Sequence, residues 1–218
     1  MTDYALARLN MVENQLRPSE VTDLRVLRAM GEVPRELFLP KQLRGIAYAD
    51  EDILIPGDGH LMEPMVFARM LQAAQIKPED VVLVIGCGTG YSAAVVARLA
   101  ATVILLEPDA ATAERVELAL DRLSVDNVVV VVAEDRTVGY PSRAPYDVIL
   151  LTGSVRDVPQ GLLDQVGEGG RLIAVVDDGR VGKATLFVRM HGVVGRRVLF
   201  DAHIPELDGL RDEPEFTF

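Results

Sequence analysis

The sequence predicts an α/β fold: a mostly parallel sheet with helices on both faces, a helical extension before it and an antiparallel hairpin after it. Three observations carry this. From residue 80 onward, short β-branched runs alternate with helical patterns. Those runs are continuously apolar, the pattern of strands covered on both sides. The last two runs, ATLFVRM and VGRRVLF, flank only a short HGV turn and so form a hairpin.

The elements follow in order. Residues 3–17 (DYALARLNMVENQLR) place Leu6, Leu9, Val12 and Leu16 at helical spacing. Thr22 or Asp23 caps a second helix through Met30, and Pro34 and Pro40 bracket a turn. DILIPGDGHLMEPMVFARML (52–71) reads as a glycine-punctuated loop entering an amphipathic helix. VVLVIG (81–86), TVILLE (102–107), NVVVVVA (127–133), YDVILL (146–151) and RLIAVV (171–176) are strands, the five-valine run belonging to the core and Asp147 opening its strand. YSAAVVARLA (91–100), DAATAERVELALDRL (109–123) and a segment near 159–166 are the intervening helices. The tail, DAHIPELDGLRDEPEFTF, is acidic and reads as loop or edge, with Phe216 and Phe218 available to the body or to a partner. The whole chain, 1–218, reads as one domain: an N-terminal helical extension and substrate loop (1–75), a ligand-binding core (76–178), and the hairpin and tail (179–218).

Composition narrows the function. With 218 residues and 49% hydrophobic content, the chain can bury one full core. No apolar run reaches membrane-span length, and Asp3, Arg8 and Glu13 make the N-terminus unlike a signal peptide. A single cysteine excludes an internal disulfide framework and fits a reducing cytoplasm. The formal charge of −11 disfavours nucleic acid and anionic membranes as partners. His191 and His203 lack companions at metal-ligand spacing, so no metal site is expected. These readings describe a cytoplasmic protein acting on a small or protein substrate.

The chemistry concentrates at VLVIGCGTGYSAA. Gly86, Gly88 and Gly90 follow the first strand of the sheet, where an open α/β fold binds its ligand. A dinucleotide fingerprint places its third glycine one position later, at Tyr91, which disfavours NAD. The second strand ends in Glu107, positioned to accept both hydroxyls of a ribose. The third ends in Glu134 and Asp135, either of which can hold an adenine amino group. No G-x-x-x-x-G-K-[ST] motif occurs, and no arginine or lysine lies near the glycine loop in sequence, which disfavours a nucleoside triphosphate. A nucleoside without phosphates, held by glycines and acids, points to S-adenosylmethionine. Cys87 packs inside this loop without a local base to activate it.

Beyond this loop, the sequence resembles the protein-L-isoaspartate O-methyltransferases. The resemblance runs through MVENQLR (11–17), VLRAMGEVPRELFLP (26–40), AYADEDILI (47–55), the glycine loop, DRTVGYPSRAPYDVILLTGS (135–154) and VPQGLLDQVGEGGRLIAVV (158–176). It implies a Rossmann-like class I methyltransferase sheet of seven strands with a reversed final hairpin. It implies S-adenosylmethionine bound by Gly86, Cys87, Gly88, Gly90, Glu107 and Asp135. It also implies isoaspartyl protein or peptide as the acceptor, recognised by a loop resembling G-x-G-Q-T-I-S-Q-P.

That loop departs from the family. Aligned without gaps from Ile55 to Pro64, the family's threonine falls on His60, its serine on Met62 and its glutamine on Glu63, while Arg136 stands where the family has glycine. His60 is a candidate base or a loop imidazole bonded to backbone. Met62 is a hydrophobic plug that cannot donate the serine's hydrogen bond. Glu63 either opposes a second carboxylate or simply opens a helix. Arg136 reads as a solvated strand-end arginine, or as one that offsets local negative charge or reaches a substrate carboxylate. Thr152 and Ser154 are turn hydroxyls or substrate contacts. Three readings of function remain: an isoaspartyl methyltransferase with an altered loop, a methyltransferase with another acceptor, and a cofactor-binding module without catalysis.

Overall fold

The computed structural model describes residues 3–57, 59–86, 88–207 and 210; Cys87, Phe216 and Phe218 lie outside the described residues. The extension begins with α1 (Tyr4–Met11), continued by a π-helical turn at Val12–Leu16, and α2 (Leu24–Glu32). Of the two candidate caps for α2, Asp23 does the work by accepting from the Arg25 amide. A 3-10 turn at Arg35–Phe38 then fills the interval between the two prolines.

The stretch expected as a loop is instead an antiparallel hairpin, β1 (Ile53–Ile55) with β2 (Gly59–Leu61), leading into α3 (Pro64–Ala74). Ile53 opposes Leu61 with both side chains buried, while Leu54 points outward. Three-residue strands are too short for alternation to be read from sequence, so the glycines dominated the signal.

The remaining elements are β3 (Val81–Ile85), α4 (Tyr91–Val96), β4 (Thr102–Glu107), α5 (Ala110–Asp121), β5 (Val128–Val132), β6 (Tyr146–Val155), α6 (Gln160–Asp164), β7 (Val166–Val176), β8 (Lys183–Met190) and β9 (Val193–Asp201). They form a seven-stranded sheet in the order β5-β4-β3-β6-β7-β8-β9. Strands β5 through β7 run parallel, and β8 and β9 close the sheet antiparallel, as the final hairpin predicted. Asp147 fixes the start of β3 by accepting from the Val81 amide at 2.8 Å.

Alternate residues of each central strand feed two cores. Val82, Val84, Val103 and Leu105 pack under the helices of the extension, α3, α4 and α5. Leu83, Ile85, Ile104 and Leu106 face the other way, under Leu162 of α6 and Leu207 and Leu210 of the C-terminal segment. Helices thus cover both faces, but unequally. The five-valine strand corrects an expectation: β5 is an edge strand, with Val129 54% and Val132 47% exposed. Valine runs report strand geometry, and burial depends on whether a neighbour and a helix cover them. Among the described residues, no helix is long and apolar enough to cross a membrane.

Candidate active site

The sheet order reverses between β3 and β6, and the glycine loop leaves β3 at that switch point. Gly86 follows β3 and donates its amide to Leu106 O at 2.9 Å. Directly beside it lies the Glu107 carboxylate: a Cβ at residue 86 would stand 2.3 Å from Glu107 Oε1. Gly90, at φ +77°, is constrained differently, since a Cβ there would meet Val116 Cγ1 of α5 at 2.7 Å. The two glycines therefore admit an anion and a helix, respectively, which the sequence could not distinguish.

Glu107 is fully buried, and neither carboxylate oxygen has a hydrogen-bond partner of normal geometry among the described residues. Burial pushes its pKa up to about 7, against the opposing pull of the Arg136 guanidinium and the Gly88 amide. Arg136 corrects the expectation of a solvated side chain: it is 3% exposed and donates to Gly86 O at 2.6 Å. Arg115 of α5 similarly reaches Gly88 O at 3.4 Å. Two arginines thus serve a loop that has none nearby in sequence, because the β5 exit and α5 fold back over it.

Asp135 and Glu134 are both exposed at the end of β5. Asp135 caps the 3-10 turn Arg136–Val138, its Oδ1 accepting from the Thr137 amide at 2.9 Å and the Thr137 hydroxyl at 2.5 Å. On the other flank, β6 carries an irregularity between Leu150 and Ser154 where its register against β7 shifts. There the Thr152 hydroxyl donates to Ile85 O at 2.8 Å, and Ser154 exchanges backbone bonds with Pro205 and Leu207. Thr152 and the Ser154 backbone therefore hold structure together at the edge of the site.

The hairpin packs against this irregularity. His60 lies in β2 and is 3% exposed; a Cβ on Gly153 would sit 3.2 Å from its Cε1. Met62 is 4% exposed and belongs to the larger core, as the plug reading expected. Its carbonyl accepts from Arg35 Nη2 at 2.8 Å, and Ala47 O accepts from Arg35 Nε at 2.7 Å. The wholly buried Arg35 guanidinium also lies 4.7 Å from the centroid of the Tyr91 ring. Sequence reading missed Arg35; its one signal was a charge among apolar residues between two prolines.

Glu63 occupies the N-cap position of α3, before Pro64, but its side chain makes no capping bond. Asp52 and Asp50 bond the Glu63 and Met65 amides instead, at 2.8 and 3.3 Å. Burial, then Asp52 and Asp50, push the Glu63 pKa up to about 7. Among the described residues, no group of three His, Cys, Asp or Glu side chains could hold a metal ion.

The partnerless Glu107 oxygens test the fit of a nucleoside. Adjacent ribose hydroxyls would supply two donors to this carboxylate, at a position where a side chain is excluded. Such a cradle, on a seven-stranded sheet with a reversed final hairpin, defines a class I S-adenosylmethionine-dependent methyltransferase. The family is narrower. The model of the protein-L-isoaspartate(D-aspartate) O-methyltransferase family matches residues 7–204, and the chain belongs to that family.

Individual relatives agree. The protein-L-isoaspartate O-methyltransferase of Koribacter versatilis is 38% identical over 209 residues, covering 96% of this chain and 94% of its own. That of Methanoculleus marisnigri is 45% identical over 171 residues, 78% of this chain and 76% of its own. A solved protein-L-isoaspartate O-methyltransferase superposes with a TM-score of 0.82 at 28% identity, over 93% of this chain and 67% of that one. A Plasmodium falciparum beta-aspartate methyltransferase, solved in complex with S-adenosyl-L-homocysteine, shares the fold with a TM-score of 0.76 at 19% identity, over 96% of this chain and 100% of its own.

Proposed function

We propose that this enzyme methylates the free α-carboxylate of isoaspartyl residues in damaged proteins, in the cytoplasm and without nucleic acid as a partner. The observation that supports this reading is the hairpin: Arg35 ties Met62 to the ring of Tyr91, which begins the helix after the glycine loop. In this reading residues 1–75 position the acceptor, 76–178 hold the cofactor, and 179–218 close the sheet.

Gly86, Gly88 and Gly90 line the cofactor's path, Cys87 between them in sequence is assigned to the same loop, Glu107 accepts from the ribose, and Asp135 meets the adenine. S-adenosylmethionine, when bound, supplies a methyl group on a sulfonium centre. The acceptor carboxylate, with an ordinary carboxyl pKa of roughly 4, is ionised at neutral pH, so no residue has to remove a proton. The chain's contribution is to position that carboxylate and to exclude water. Buried Leu61 and Met62 supply the dry wall. Glu63, while protonated, donates to the acceptor in place of the absent serine hydroxyl. His60, wedged beside Gly153, fixes the hairpin against β6 rather than acting as a base.

The test uses tritiated S-adenosylmethionine with paired peptides that differ only in containing isoaspartate or aspartate. Methyl ester should form on the isoaspartyl peptide alone. Equal labelling of both, or cofactor binding without turnover, overturns the reading.

A further inference from the structure

A second feature lies where β6 and β7 end and the β8–β9 hairpin begins. A cavity of about 460 Å³ is lined there by four cations, Arg156, Arg180, Lys183 and Arg196. They come from four separate segments: the exit of β6, the β7–β8 connection, β8 and β9. Two acids, Asp157 and Asp178, also line it, so four cations less two anions leave +2, in a chain of formal charge −11.

None of these four cations makes an ion pair or a side-chain hydrogen bond among the described residues. Elsewhere arginines are engaged: Arg35 and Arg136 on carbonyls, and Arg171 on Asp80 and the end of α3. Like charges that outnumber the counter-charges beside them repel one another and raise the local potential for an anion. Two apolar side chains share the wall, Val181 at 57% and Val198 at 53% exposure, so the groove also offers contact to hydrocarbon.

The groove is continuous with the acceptor side. Arg156 also lines a neighbouring cavity of about 500 Å³, together with Asp52 and Leu54 of the hairpin region and Ser154 of β6. Asp177 and Gly179 face that cavity while Asp178 and Arg180 face the basic one. An extended polypeptide lying beside the hairpin reaches the basic groove past Arg156.

We propose that this groove is a secondary subsite for an acidic segment of the protein acceptor, flanking the residue that is methylated. The inference rests on the isoaspartyl reading and adds a sequence preference to it. Charge complementarity and continuity with the acceptor side favour this occupant. A competing occupant is the chain's own tail, which carries Asp212, Glu213 and Glu215 and lies outside the described residues.

The test compares isoaspartyl peptides with Gly-Gly, Glu-Glu or Lys-Lys placed on either side of one core. Acidic flanks on one side should raise kcat/KM about tenfold over the neutral peptide at low salt, with the gain lost near about 0.5 M salt. The double variant Arg180→Glu/Arg196→Glu should abolish the gain while leaving kcat and KM for the neutral peptide unchanged. Charge-independent kcat/KM, or a double variant that slows the neutral peptide equally, overturns the subsite. So does a full-length Asp212→Asn/Glu213→Gln/Glu215→Gln variant that gains affinity for acidic peptide, because the tail is then the occupant. If the neutral peptide is not methylated, it is the isoaspartyl reading that fails. Fluorescence anisotropy of labelled acidic peptide, wild type against the double variant, then still decides the groove.

Discussion

The cofactor edge and the acceptor hairpin use buried polar groups in opposite ways. At the edge, Glu107 lies buried beside Gly86 with neither oxygen in a well-formed hydrogen bond among the described residues, an arrangement that costs free energy until a ligand supplies donors. At the hairpin, Met62 is packed in the core and its carbonyl is bonded to Arg35. One region presents an acceptor pair that awaits donors; the other is tied mainly through backbone carbonyls, with Arg35 Nη1 and the Tyr91 hydroxyl the buried atoms it leaves without a hydrogen bond among the described residues. The difference suggests that cofactor specificity is preformed in unsatisfied atoms, while acceptor specificity is carried by shape and by the few charges left at the hairpin's edge.

The sharpest way to break this contrast is Gly86→Ala. Its Cβ would stand 2.3 Å from Glu107 Oε1, displacing the carboxylate from the cradle. Cofactor affinity should fall by about 100-fold, or roughly 3 kcal/mol, the scale of lost charge-assisted hydrogen bonds. Titration calorimetry with S-adenosylhomocysteine reads this directly; a change within about threefold would mean that Glu107 does not form the cradle.

Glu107 also makes stability depend on pH. Its folded-state pKa is raised from 4.5 to about 7, so the folded protein binds this proton more tightly than the unfolded chain. The corresponding stability is fully present below pH 4.5 and is lost as pH rises through about 7. The loss is at most about 3 kcal/mol for the ligand-free protein. Glu107→Gln should flatten that part of the profile in urea unfolding between pH 5 and 8, and should weaken cofactor binding at pH 8. An unchanged pH profile contradicts a buried, titrating carboxylate.

Arg35→Met probes the other region. It removes two charge-assisted bonds to carbonyls and the contact with the Tyr91 ring, for a stability loss of about 3 kcal/mol. At this chain length that lowers Tm by roughly 6–12 °C. In the folded variant KM for the acceptor peptide should rise more than the Kd for S-adenosylhomocysteine. Equal loss of both would place Arg35 in general stability rather than in hairpin positioning.

How far these two regions could be read from the sequence follows from what each is made of. Strands β3 and β4 and the helix capped by Asp109 were legible because hydrophobic period, turn residues and caps are local signals. Gly86, Gly90 and Glu107 were legible as a group, since successive parallel strands bring their carboxyl ends to one edge. The reasons for the glycines were not, because the side chain that excludes a Cβ at each comes from a distant segment. Arg136 and Arg35 were misread or missed for the same reason: their partners, Gly86 O and Met62 O, lie 50 and 27 residues away. The exposed valines of β5 show the same limit, as edge position is a property of the whole sheet.

Met62→Ser asks whether the hairpin has exchanged a hydroxyl for packing. Losing a buried methionine side chain should cost about 2 kcal/mol in urea unfolding. If the serine hydroxyl reaches the acceptor, kcat/KM on isoaspartyl peptide should rise about tenfold in the folded variant. A stability loss with no gain in kcat/KM would show that this hairpin positions its acceptor without a hydroxyl.

The smallest expected effect is the pH dependence of acceptor binding through Glu63. Burial, Asp52 and Asp50 raise its pKa to about 7, so it is mostly protonated below that pH and ionised above it. A neutral Glu63 donates to a carboxylate, whereas an ionised one repels it through a partly solvated path. KM for isoaspartyl peptide should therefore rise about threefold as pH goes from 6 to 8, with most of the change near 7, because a half-buried charge is still partly screened by solvent. Glu63→Gln cannot ionise and should hold the low-pH KM across the range, while Glu107, which also titrates near 7, affects the Kd for cofactor instead. Measuring KM and cofactor Kd on the same pH series separates the two carboxylates. If Glu63→Gln leaves the rise in KM intact, the titrating group at the hairpin lies elsewhere, and Asp52, whose pKa burial also raises, is the next residue to substitute.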